Sequence, residues 1–210
     1  MATVDNPTVA AASPGLEAAH PLAERSPAVR RWRFNVDEYY RMAEAGIFHE
    51  DSRVELIEGD IIAMSPIGSR RAACVVRLTA LLTSALGIRA FLSPQNPIRL
   101  DDHSEPEPDV MLLTPKDDYY ASAHPGAADV LLLVEVMNTS ADDDRKVKLG
   151  LYARSGVPEV WLVDLKGELV EVYRRPAGEA YAEKSEIRRG QSLAPGAFPD
   201  VVLGVDAIFG

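Results

Sequence analysis

Residues 130–137 read VLLLVEVM, and six of the eight are Val or Leu. A near-continuous run of this kind marks a strand covered on both faces, as in the middle of an α/β sheet. A chain that contains one must supply a packing layer on each side. One position breaks the run: Glu135 places a carboxylate where every neighbour is apolar. An unpaired buried charge costs roughly several kcal/mol. A basic partner, hydrogen bonds or a metal ion must therefore offset it.

The flanking sequence supplies the layers. Asn35 followed by Glu38 has capping-box spacing and predicts a helix to about Ala45, ended by Gly46. RVELIE (Arg53–Glu58) and DIIAMS (Asp60–Ser65) flank Gly59 as two strands of a hairpin. From Ser69 to Leu86, Ala72, Val75, Val76, Leu78, Leu81, Leu82 and Leu86 recur at helical spacing, which leaves Arg70, Arg71 and Arg77 off the apolar stripe. Short strands are expected at Ile88–Ser93 and Pro97–Leu100. The acidic, proline-punctuated EPEPD segment (105–109) then leads into an apolar strand at Val110–Leu113. After the central strand, Asp142–Ser155 reads as a helix with acidic residues in its first turn, where they suit the helix dipole. EVWLVD (Glu159–Asp164) is a further strand. The alternation of Glu168–Tyr173 predicts a sheet edge with one wet face. A strand near Tyr181–Ile187 and a segment at Val201–Phe209 complete the chain. This order of helices and strands predicts an α/β or α+β fold around one mixed sheet. The Ala-, Pro- and Ser-rich residues 1–30 are expected to be a disordered leader, and 31–210 one domain.

Composition narrows the function classes. One cysteine, Cys74, rules out an internal disulfide framework and fits a reducing cytoplasm. Its apolar neighbours make it a small buried hydrophobe rather than a reactive thiol. No apolar run approaches the roughly 20 residues of a membrane span, so no membrane partner is expected. A net charge of −10 counts against broad, non-specific nucleic-acid binding but not against a local basic cleft. His20, His49, His103 and His124 are scattered singly, without metal-ligand spacing. No Gly-rich phosphate loop and no G-x-S-x-G elbow is present, which leaves nucleotide and serine hydrolases without support.

Three residues stand out. Asp109 opens a buried strand, Glu135 lies inside the next, and Lys148 sits on the helix after that. If the two strands are neighbours, both carboxylates meet at one end of the sheet. Two hard oxygen donors there, with carbonyls and water, suit Mg²⁺, and a nearby lysine can stabilise phosphate charge or position water. On the helix, Val147 and Leu151 are expected to face the sheet, with Lys148 and Tyr152 on the adjacent stripe. Two bland readings stand beside this one: Lys148 pairing with Asp144 along its own helix, and Glu135 paired internally with a buried Arg or Lys.

Pro108–Asp109, then Glu135–Val136–Met137 with the lysine displaced onto the following helix, resembles a variant of the PD-(D/E)XK nuclease pattern. Four stretches (Val54–Pro66, Gln95–Val110, Leu132–Val136 and Asp144–Asp164) occur in the order found in the Uma-two endonuclease family of that superfamily. The resemblance runs over roughly Trp32–Phe209. It implies a restriction-endonuclease-like mixed sheet flanked by helices, with an added N-terminal hairpin and C-terminal strands. It also implies cleavage of DNA phosphodiesters with Mg²⁺, or Mn²⁺ in its stead. By position, Asp109 and Glu135 would hold the metal and Lys148 would be the motif lysine, with Lys146 its rival. Glu55 would join the acidic set, or else be a solvent-facing strand residue. Many relatives carry a histidine early in the long helix. This chain has Arg70 and Arg71 there, and an arginine can still contact substrate phosphate.

Three functions follow as expectations: a cytoplasmic metal-dependent DNA endonuclease, a non-catalytic nucleic-acid- or protein-binding module on the same fold, and a structural homodimer. The edge expected at Glu168–Tyr173 offers a route to pairing across a two-fold axis.

Overall fold

The computed structural model describes residues 31–49, 52–137 and 142–210, with the backbone alone at 142–146. The leader expected at 1–30 and the rival Lys146 side chain lie outside the described residues. The elements are α1 (Val36–Glu44), β1 (Val54–Ile57), β2 (Asp60–Ala63), α2 (Ser69–Leu86), β3 (Phe91–Pro94), β4 (Val110–Leu113), β5 (Val130–Met137), α3 (Asp142–Arg154), β6 (Glu159–Asp164), β7 (Leu169–Ala177), β8 (Ala180–Arg188), β9 (Ser192–Leu193), β10 (Leu203–Gly204) and α4 (Val205–Phe209). Arg33–Gly210 forms one compact unit.

Six strands make the main sheet in the order β3-β4-β5-β6-β7-β8. The β5–β6 pair is parallel, bridged by α3 as crossover, and the other pairs are antiparallel. The sheet is mixed, with the branched apolar run of β5 well inside it. Because side chains alternate across a strand, β5 feeds two cores. Leu132, Val134 and Val136 pack with Cys74, Val75, Leu78, Leu82 and Leu86 of α2, and Val205 and Ile208 of α4 join them. Leu133 packs on the opposite face with Met111, Val160, Leu162 and Tyr152 of α3. Burial pushes the Cys74 thiol up to about 11, which keeps it an inert core residue.

Local signals account for the ends of several elements. Asn35 and Glu38 form the expected capping box on α1. The β1–β2 turn puts both Glu58 and Gly59 at positive φ, the geometry of a two-residue type I′ hairpin. Gly59 also lies against Arg33, where a Cβ would come within 2.7 Å of the Arg33 Cβ. The hairpin is a separate two-stranded sheet, joined to the segment before β4 through the Leu56–Glu105 bridge.

Several expectations are corrected. Glu168–Tyr173 is not an edge, because β7 is paired on both sides by β6 and β8. Its alternating pattern instead reflects a buried carboxylate: Glu171 accepts hydrogen bonds from the Tyr173 hydroxyl and from Lys184 Nζ. Pairing across a two-fold axis through that strand is therefore closed. The edge on this side of the sheet is β8, where Glu183, Lys184, Glu186 and Arg188 blunt it with alternating charge. Pro97–Leu100 is irregular, its Ile98 and Leu100 N–H groups turning back to Pro106 and Ser104 carbonyls. On α3, Val147 is exposed while Leu151 and Tyr152 are fully buried, so the packed face is rotated toward the Lys148–Tyr152 stripe. On α2, Val76 points to solvent at 67% exposure.

Ser69–Arg89 is long and apolar enough, by length and composition alone, to cross a membrane. In this fold its buried stripe covers the sheet. Leu78→Ala should cost about 2–5 kcal/mol in urea unfolding, as a core cavity does, whereas Val76→Ala should change stability by less than about 0.5 kcal/mol. Equal effects would mean that the packed face of α2 is assigned wrongly.

Candidate active site

Antiparallel pairing sets Val110 opposite Val134, so the beginning of β4 meets the end of β5. Asp109 and Glu135 are thereby brought to the same end of the sheet. Asp109, only 1% exposed, accepts the Val136 N–H at 2.8 Å through Oδ2. Glu135 alternates with the α2-facing residues of its strand and so points toward α3, where the Tyr152 hydroxyl donates to its Oε1 at 2.6 Å.

Glu55 reaches the same place from the hairpin. The segment before β4 runs beside β1, with Glu105 N–H bonded to the Leu56 carbonyl, and the Glu107 N–H donates to Glu55 Oε2 at 3.2 Å. Glu55 is buried at 4% exposure, which sets aside a solvent-facing role. Lys148 joins the two acids: its Nζ lies 2.8 Å from Glu55 and 3.8 Å from Glu135 Oε1. The rotation of α3 that buries Tyr152 carries Lys148, one turn earlier, inward with it. At its other end α3 is tied to the hairpin turn by an Arg154–Glu58 ion pair.

The arginines diverge. Arg71, in the first turn of α2, grips Asp109 with two nitrogens: Nε at 3.2 and 3.1 Å from Oδ1 and Oδ2, and Nη2 at 2.9 Å from Oδ2. Arg70 turns away and donates to the Leu165 carbonyl at 3.1 Å. Of the residues singled out in the sequence, Glu55, Asp109, Glu135, Lys148 and Arg71 come together, and Arg70 does not.

Two further residues take part that the sequence pattern alone does not mark. Tyr152, four residues after Lys148, was visible only as a helix neighbour. Glu107, in the acidic run before Asp109, lies close enough to Glu55 that burial and that like charge raise its carboxyl. Burial also pushes Glu135 up, to about 7; Lys148 and the Tyr152 hydroxyl oppose the rise, and Asp109 and Glu55 add to it. Tyr152 is raised well above its ordinary value by burial and then by Glu135.

Among the described residues, the carboxylates of Glu55, Asp109 and Glu135 thus outnumber the two cations paired with them, Arg71 and Lys148. Among the described residues no group of three acidic, His or Cys side chains is already arranged as a cage for a metal. The donors nonetheless fit a hard divalent ion in type, being carboxylate oxygens. They also fit in charge, since the carboxylates outnumber the cations paired with them. As the cluster stands, Arg71 bonds both oxygens of Asp109.

Residues 36–206 match the model of the Uma2 family, described as "Putative restriction endonuclease". The chain belongs to that family. Among solved structures, a crystal structure of "a putative nuclease belonging to DUF820" from Anabaena variabilis superimposes with a TM-score of 0.68. That likeness covers 84% of this chain and 97% of the other at 18% identity, and it speaks for the fold alone. No curated protein matches the chain. The six-stranded mixed sheet with flanking helices, hairpin and C-terminal strands is therefore the architecture of this Uma2 protein, as the sequence resemblance implied.

The raised Glu135 has a measurable consequence. A carboxyl whose folded pKa exceeds its unfolded value of 4.5 contributes stability that is complete below that value. That contribution is lost as the pH rises through about 7. In thermal melts with chelator present, Glu135→Gln should therefore gain on the wild type between these limits, with the difference in Tm widening as the pH rises. A difference that stays flat across this window would show that Glu135 titrates normally.

Proposed function

We propose that this Uma2 protein is a divalent-metal-dependent nuclease that hydrolyses DNA phosphodiesters at the Asp109–Glu135–Lys148 cluster. The observation that carries the reading is the meeting of Asp109 and Glu135 at one end of the sheet with the Lys148 ammonium beside them. Asp109 and Glu135 would hold Mg²⁺ or Mn²⁺, and the chemistry such an ion supplies is polarisation of a phosphoryl oxygen and a lowered pKa for water.

The chain's own groups have separable tasks. The Val136 N–H orients Asp109, and the Tyr152 hydroxyl orients Glu135. Glu55 holds Lys148 at the edge of the site, where its ammonium stabilises the negative charge that develops on phosphorus-bound oxygen. Arg71, with a forked donor set suited to phosphate, would contact the DNA backbone. Burial of Glu55, Asp109 and Glu135 fixes these groups before substrate arrives, so little reorganisation is needed at the moment of reaction.

The bidentate Arg71–Asp109 pair favours a second reading, in which the cluster is an internal ion-pair network and the protein binds nucleic acid without cutting it. Plasmid nicking separates the two. The nuclease reading expects relaxation of supercoiled DNA that requires Mg²⁺ or Mn²⁺. It also expects a loss of at least about a hundredfold in Lys148→Ala and in Glu135→Ala. If Glu135→Ala cuts as well as the wild type, the site assignment is wrong. If binding is salt-sensitive, indifferent to metal and never followed by cutting, the binding-module reading takes its place.

A further inference from the structure

We infer that Arg71 is a displaceable counter-ion: it neutralises Asp109 while the site is empty and surrenders that carboxylate to a divalent cation, which frees its guanidinium for substrate phosphate. The inference rests on the nuclease reading above and concerns how its site is kept before loading. Three observations support it. First, both oxygens of Asp109 are engaged by Arg71, so an ion that ligates this carboxylate competes with the guanidinium for its charge and is repelled by it. Second, the two oxygens are not equivalent. Oδ2 also accepts the Val136 N–H at 2.8 Å, whereas Oδ1 accepts the Arg71 Nε–H at 3.2 Å. Oδ1 is therefore the first oxygen an ion would take, and the backbone bond keeps the carboxylate aimed while the guanidinium leaves.

Third, Arg71 is held in place chiefly by Asp109. It sits in the first turn of α2, whose N-cap Gly68 provides no side-chain cap and whose first turn contains no acidic residue. A cation there opposes the helix dipole. With the Arg71 side chain still 22% exposed, it has a path to solvent and to a backbone phosphate. An arginine suits this exchange better than a lysine would, because the same planar fork pairs with carboxylate or phosphate.

The test is a calorimetric titration of the full chain with Mn²⁺, without DNA, for wild type, Arg71→Gln, Arg71→Lys and Asp109→Asn. Arg71→Gln should bind Mn²⁺ at least about tenfold tighter than the wild type, the factor expected when a competing charge-assisted hydrogen-bonded pair is removed. Arg71→Lys, which keeps the charge but not the fork, should fall between them. Should Arg71→Gln fail to fold, the same question is answered on the wild type with isotope-labelled arginine. The Nε–H resonance of Arg71 should shift as Mg²⁺ is added and saturate with it. Mn²⁺ affinity in Arg71→Gln equal to or weaker than wild type, or an Arg71 resonance that ignores saturating Mg²⁺, overturns the inference. If the wild type binds Mn²⁺ and Asp109→Asn does not, the metal site survives that failure. If neither wild type nor Arg71→Gln binds Mn²⁺, both readings fall together.

Discussion

A carboxylate inside an apolar strand has to be matched, and the way Glu135 is matched organises one whole end of this molecule. Tyr152 and Lys148 come to it from α3, and Lys148 brings Glu55 from the hairpin. Asp109 arrives by strand pairing and draws Arg71 from the other side of the sheet. Each group is costly to bury alone and tolerable in company. The cluster is consequently a unit. Removing one member leaves a neighbour's charge buried without its partner, and that interdependence keeps the side chains in register with one another.

The same balance explains why the site is poised rather than settled. Burial first, and then the nearby carboxylates of Asp109 and Glu55, make the Glu135 carboxyl resist losing its proton, against the opposing pull of Lys148 and Tyr152. In proteins generally, replacing a buried ion pair with well-packed apolar groups of similar volume is often neutral or stabilising. Strain of this kind collects where chemistry is done, because groups held away from their relaxed protonation or pairing state respond to an incoming ion or phosphate.

A second buried acid shows what a purely structural solution looks like. Glu159 is 2% exposed and receives the Trp161 indole N–H, Arg174 and the Gly196 N–H, which pins the C-terminal loop to the sheet. Its partners come from its own strand, the adjacent strand and a backbone amide, and one arginine balances its charge. The contrast with Glu135 marks the difference between a carboxylate held for architecture and one held in competition with other carboxylates.

Much of this was legible in the residues themselves. The central strand follows from an unbroken Val/Leu run, α1 from its capping box, and the hairpin from Glu58–Gly59, because each depends on neighbours within a few positions. Asp109, Glu135 and Lys148 could be singled out for the same reason, as polar groups in or beside apolar segments. Other features depended on partners far along the chain. Whether β7 is an edge is decided by β8, and the inward face of α3 is set by what lies beneath Tyr152, not by Val147. Arg70 and Arg71 are adjacent and chemically identical, yet one reaches Asp109 and the other a carbonyl at Leu165. Their places are fixed by the rotation of α2 on the sheet, and no local pattern encodes a rotation that only packing between distant segments determines.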